Sequence, residues 1–158
     1  MSQSYDYRHM EDVSRIVGAR YRFGRDALQL LADIANNYIY AVYKNMAQGD
    51  DSDEEERLFN SINELTTGAI KEEIFDEFED VESGAYFGLE KSYDHAPHLS
   101  DESRLYLMYS AETFIELVIK MTVKAMSHTM RQSVSVNDIV KTIEENDEIA
   151  YTYSKIRK

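Results

Sequence analysis

Two segments of the sequence carry a long apolar surface that polar residues interrupt at every fourth position. Between residues 105 and 128 the chain is almost entirely apolar apart from a polar series, Glu112, Glu116, Lys120 and Lys124. Polar residues at this spacing share one face of an α-helix, so the pattern predicts a long helix with one narrow wetted edge. At 1.5 Å per residue this helix would be roughly 35 Å long, and other helices would have to cover its remaining faces.

Residues 27–47 repeat the same arrangement. Shifting this segment by 76 residues places Asn36, Tyr40 and Lys44 on the first three members of the polar series described above. A pattern that recurs at a fixed separation indicates an internal duplication. Three tyrosines of this segment, Tyr38, Tyr40 and Tyr43, are expected in the core or at a helix interface.

Shorter helices are predicted around the two long ones. The pairs Ser135/Asp138 and Ser61/Glu64 both have the spacing of a capping box, which marks the first turn of a helix. Residues 69–81 place apolar side chains at helical spacing with carboxylates between them, and predict an acidic amphipathic helix. The single proline, the six glycines and the lack of alternating β-branched runs also favour an all-α fold. The order is short helix, long helix, short helix, twice.

This order resembles the histone fold, and particular segments carry the resemblance. Residues 98–103 resemble the first loop of archaeal histones, residues 131–139 resemble the second loop with its short strand and the start of the last helix, and residues 11–27 resemble the first helix and first loop. The resemblance implies two histone folds in one chain, forming an intramolecular handshake pseudo-dimer like archaeal or viral histone doublets. The first half would span residues 1–67, an acidic connecting helix residues 68–82, and the second half residues 83–158.

In a handshake the two long helices cross, and the first loop of one half lies beside the second loop of the other. The resemblance therefore implies a DNA-binding end that combines both loops, with Arg20, Arg22, Arg25, Arg131 and Ser133. It also implies a structural pair between Arg131 and Asp138. Two alternatives stay open: Arg131 is mainly structural, and Arg20, Arg22 and Arg25 are solvated surface residues. Tyr21 and Phe23, which alternate with the arginines, are expected to pack inward. The chain departs from the family before residue 98, where Gly84 and Gly88 make a poor first helix, and at residues 66–82, which have no counterpart in a minimal histone.

The charge distribution separates two functional hypotheses. The formal net charge is −13, and residues 48–104 hold eighteen of the thirty Asp and Glu but only four Lys or Arg. One hypothesis is a protein of DNA architecture, chromatin or transcription regulation that touches double-stranded DNA only at the arginine-lined end. The alternative is an acidic interaction module that pairs with a basic or histone-fold protein. It would use a run of carboxylates, Asp50, Asp51, Asp53, Glu54, Glu55 and Glu56. A third hypothesis is an unrelated helical bundle that matches the pattern by chance.

The sequence offers no catalytic motif, and we predict a protein that is not an enzyme and needs no cofactor. It has no cysteine, and His95 and His98 flank a proline without further ligands at metal-site spacing, so no metal site is predicted. The chain has no apolar run long enough for a bilayer and no signal-peptide pattern at Met1–Asp6, so we expect an intracellular protein without membrane contact. The family resemblance implies association with chromatin in a nucleoid, nucleus or virion. Further homo-oligomerisation is a possibility that the sequence leaves open.

Overall fold

In a computed structural model, the described part of the chain is helical with one short pair of strands. The structure describes residues 5–18, 20–47, 53–83 and 99–157. Within these ranges the elements are α1 (Tyr7–Val17), β1 (Arg22–Phe23), α2 (Arg25–Met46), α3 (Glu54–Leu65), α4 (Gly68–Ser83), α5 (Asp101–Met126), β2 (Ser133–Val134), α6 (Val136–Glu145) and α7 (Asp147–Ile156). The all-α prediction is confirmed. None of the helices in the described ranges has the length and apolarity to cross a membrane.

The two long helices predicted from the apolar pattern are α2, with 22 residues, and α5, with 26. They pack directly against each other in the core. Tyr38 of α2 stacks on Phe114 of α5, with ring centroids 5.8 Å apart and ring planes 18° apart. Both side chains are fully buried. Their positions differ by 76 residues, so the contact joins equivalent positions of the duplicated pattern.

The shorter helices are distributed around this pair. Helix α1 packs along α2, and α4 packs along α5; α3 and α6 each contact both long helices. Helix α4 therefore occupies a place beside α5 like that of α1 beside α2, although the resemblance left residues 66–82 without a counterpart. The predicted poor helix around Gly84 and Gly88 lies outside the described residues. The division into two halves and a connecting helix stays a prediction.

One of the two predicted capping boxes is confirmed. Ser135 caps α6, and the Asp138 side chain reaches back to the Ser135 N–H. The prediction that Ser61 begins a helix is wrong, because α3 already begins after Asp53, whose side chain accepts from the Glu55 N–H. Ser61 lies inside α3 and donates its hydroxyl hydrogen bond to the Val42 carbonyl, 2.8 Å away.

The polar face predicted for α5 is only partly exposed to solvent. Lys120 and Lys124 are exposed, but Glu112 is only 6% exposed. The segment before α1 covers it, and the Tyr5 hydroxyl donates to Glu112 Oε2 at 2.8 Å. The backbone N–H and carbonyl of Tyr5 also make two hydrogen bonds with the Asn36 side chain.

The three tyrosines of α2 have different environments. Tyr38 is buried and Tyr43 is half-buried against the core, as predicted, whereas Tyr40 is 51% exposed. The prediction was wrong for Tyr40 because this position continues the polar series of α2, which faces solvent here.

Helix α4 begins at position 68, where the backbone conformation and the available space favour glycine. Gly68 has a φ of 60°, and the Glu148 carboxylate of α7 accepts hydrogen bonds from the adjacent Ala69 N–H at 3.0 and 3.1 Å. A Cβ at Gly68 would overlap this carboxylate. We expect Gly68→Ala to lower the free energy of unfolding by about 1–3 kcal/mol, because it combines backbone strain with loss of the helix cap.

Urea denaturation followed by circular dichroism would measure this change. Gly24→Ala is the matched control, because φ there is −62° and a Cβ would meet the Val134 carbonyl oxygen at 3.7 Å, an ordinary contact. Equal midpoints for Gly68→Ala and Gly24→Ala would contradict the prediction.

Candidate nucleic-acid interface

Two loops that are far apart in the sequence lie side by side at one end of the molecule. Strands β1 and β2 pair in parallel, with Arg22 opposite Ser133 and Phe23 opposite Val134. The Arg22 N–H donates to the Gln132 carbonyl at 2.8 Å, which extends the pairing by one residue. The adjacency of the two loops, which the sequence resemblance implied, is present in the structure.

Two helices begin at this strand pair and open onto a shared groove. Helix α2 begins immediately after β1, and α6 begins shortly after β2. We call this surface the arginine groove. It is lined by Arg22, Phe23, Gly24, Arg25, Asp26, Ala27, Arg131, Gln132, Ser133, Val134, Ser135, Val136 and Asn137.

The start of α2 is open to an anion. Its N-cap is Gly24, so no side chain accepts hydrogen bonds from the first N–H groups of this 22-residue helix. The N-terminus of a helix carries a partial positive charge and presents N–H donors, which together favour phosphate groups. The first turn of α2 therefore contributes N–H donors to the arginine groove, together with one exposed carboxylate, Asp26, which opposes an anion there.

The arginines of the first loop are exposed and available. Among the described residues, Arg20, Arg22 and Arg25 make no ion pair with a carboxylate. The Arg25 guanidinium lies over the Tyr7 ring, 4.3 Å from its centroid. This cation–π contact fixes the direction of the side chain without neutralising its charge. Arg20 is exposed at the start of the loop, just outside the lining of the groove.

The second loop contributes a more constrained arginine. Arg131 Nη2 lies 2.5 Å from Asp138 Oδ1, so the structural pair implied by the resemblance is present. Partial burial acts to raise the pKa of Asp138, but hydrogen bonds from Arg131 and Ser135 outweigh it and lower the pKa below its usual value. Arg131 keeps 56% of its side chain exposed and also lines the groove. Ser133 is exposed beside it.

The acidic run reaches a different part of the molecule. Asp50 and Asp51 lie outside the described residues. Glu54 Oε1 accepts a hydrogen bond from the Ser100 N–H at 3.0 Å, just before α5. This hydrogen bond lowers the pKa of Glu54.

The remaining carboxylates of the run lie at the start of α3. Asp53 serves as the N-cap, and Glu55 and Glu56 follow in the first turn. Acidic side chains at a helix N-terminus stabilise the helix, so part of the run has a role within the chain.

The aromatic side chains of the first loop pack as predicted. Tyr21 and Phe23 are half-buried and contact the core. The position of Tyr7 under Arg25 was not predicted, because the two residues lie 18 positions apart and no periodic pattern links them. Cation–π partners of this kind are set by the packing of α1 against α2.

No group of histidines and carboxylates suited to a metal ion occurs in the part of the chain that the structure describes. His95 and His98 lie outside that part. No protein-family model matches this chain, and no curated protein matches it in sequence.

Proposed function

We propose that this chain is a tandem histone-fold protein that binds the phosphate backbone of double-stranded DNA through the arginine groove. It acts without catalysis, in DNA architecture or regulation, wherever its DNA is held: nucleoid, nucleus or virion. The observation that carries the proposal is the parallel pairing of Arg22 with Ser133. This pairing gathers two helix starts and the exposed arginines of both loops on one surface.

The packing of the long helices supports the duplicated architecture. A two-fold relation between two halves brings equivalent positions into contact at its axis. Tyr38 and Phe114 are such a pair, since they are 76 residues apart and stack on each other. The similar placement of α1 on α2 and of α4 on α5 agrees with the same relation.

The arginine groove has the chemistry that a phosphate diester requires. Guanidinium groups bind phosphate oxygens with two parallel hydrogen bonds, and within the described ranges neither Arg22 nor Arg25 is paired with a carboxylate. The N–H groups at the start of α2 and the Ser133 hydroxyl add neutral donors. Arg131, held by Asp138, offers its remaining N–H groups in a fixed direction.

The net charge of −13 restricts the extent of the contact. Each carboxylate near the duplex opposes binding, so a long interface along this chain is unfavourable. The basic residues of the groove are few, and the contact should be limited to a few phosphates. Such a protein marks or bends a short stretch of DNA and does not wrap it.

The test is fluorescence anisotropy with a short labelled duplex at several salt concentrations. We expect log affinity to fall linearly with log salt, with a slope of about −2 to −4, which corresponds to about two to four phosphates. The absence of binding at about 20 mM salt would overturn the proposal, because electrostatic binding is strongest there.

A second candidate function is an acidic interaction module for a basic protein. Exposed carboxylates on α3 and α4, Glu56, Glu72 and Asp76, favour it, together with the excess of Asp and Glu in residues 48–104. If DNA binding fails, salt-dependent binding to a basic histone-fold protein, measured by calorimetry, would support this candidate.

A further inference from the structure

Met130 differs from the other described methionines in its exposure. Its side chain is 98% exposed, whereas Met10, Met46 and Met126 are buried in the core. No other large apolar side chain in the described ranges is exposed to this degree, the next being Ile16 at 63%. A fully hydrated apolar side chain contributes nothing to folding, so core packing does not explain the residue at this position.

The backbone on both sides of Met130 is held in place. The hydroxyl and the N–H of Thr129 both donate to the Met126 carbonyl at 2.9 Å. The Arg131 N–H donates back to Thr129 Oγ1 at 3.3 Å. The turn therefore presents the Met130 side chain to solvent from a fixed position, so the backbone need not be ordered on binding.

This turn lies beside the proposed phosphate contacts. Met130 immediately precedes Arg131, which lines the arginine groove, and it is three residues from Ser133, which pairs with Arg22. A side chain that projects next to contacts on the sugar-phosphate backbone faces one of the grooves of the duplex. The major groove, about 12 Å wide, admits a whole helix, so a single side chain on a turn matches the width of the minor groove, about 6 Å, better.

We propose that Met130 enters the minor groove and contacts a base step there, which makes binding sensitive to DNA deformability. The inference rests on the proposed DNA binding. Apolar side chains that enter the minor groove partly unstack a base step, and methionine suits this because it is long, unbranched and polarisable. Pyrimidine–purine steps such as TA unstack most easily, so duplexes that contain them should bind more tightly.

The experiment compares two duplexes of equal length, one with several TA steps and one built on A-tracts. We expect the wild-type chain to prefer the TA duplex by about threefold or more. Met130→Gln keeps the length and flexibility of the side chain but removes its apolar character. The variant should lose the preference and keep the salt slope, because no charge has changed.

Ile16→Gln is the matched control, since it replaces the next most exposed apolar side chain, on α1, by the same residue. It should keep the preference. The inference is overturned if Met130→Gln keeps the preference for the TA duplex, or if its affinity falls equally for both duplexes. In either case, salt-dependent binding of the wild type would still support the proposed function. Failure of the wild type to bind either duplex overturns both. Equal melting temperatures of the variants would show that neither substitution affects folding.

Discussion

The double substitution Arg22→Glu, Arg25→Glu is expected to abolish binding to duplex DNA, with affinity falling by about 100-fold or more at low salt. On the proposed function, two guanidinium groups that would bind phosphate are replaced by carboxylates that repel it. Both residues line the arginine groove, and both are exposed. The measurement is the same anisotropy titration on one short duplex.

A control variant must make the same change in net charge with substitutions outside the arginine groove. Lys44→Glu with Lys71→Glu does so, because Lys44 lies in the last turn of α2, at the end opposite Arg25, and neither lysine lines the arginine groove. This variant should retain binding to within about threefold, since charges beyond the Debye length are largely screened. Equal losses in the two double variants would mean that net charge, and not the groove, governs binding.

The second large effect concerns the contact between the long helices. Phe114→Ala should lower the free energy of unfolding by about 3–5 kcal/mol, because it leaves a cavity in a fully packed core. Phe114 is fully buried and stacks on Tyr38 where α5 meets α2. Guanidinium chloride denaturation followed by circular dichroism would measure the change.

Tyr40→Ala provides the comparison, because this aromatic residue of α2 is half exposed and should cost about 1 kcal/mol or less. We also expect one cooperative transition for the wild type, since each long helix is covered partly by the other. Two separate transitions, or a small loss for Phe114→Ala, would contradict a shared core between α2 and α5.

The long helices were predictable because a helix that is buried on all but one face has polar residues at a regular spacing in the sequence. Apolar spacing alone located α2 and α5 to within a few residues of their observed ends. Local signals failed where tertiary contacts decided the outcome. Ser61 has the spacing of a cap but bonds to Val42, and Glu112 belongs to a polar series but is covered by Tyr5.

The candidate site was predictable only through the family resemblance. No spacing in the sequence links Arg22 with Ser133, which lie 111 positions apart. The resemblance supplied that link, together with the pair between Arg131 and Asp138. Tyr7 beneath Arg25 and the exposure of Met130 depend on how α1 and the second loop are positioned, which no short pattern records.

The hydrogen bond from the Ser100 N–H to Glu54 makes the N-terminus of α5 different from that of α2. At the start of α5 the chain supplies its own carboxylate, whereas at the start of α2 no side chain caps the helix. A symmetric pair has two equal ends and can continue from one DNA segment to the next. On the proposed function, a molecule that accepts phosphate at the start of α2 but holds its own carboxylate at the start of α5 would be directional, and at the end of a row of DNA-binding proteins it would close the row.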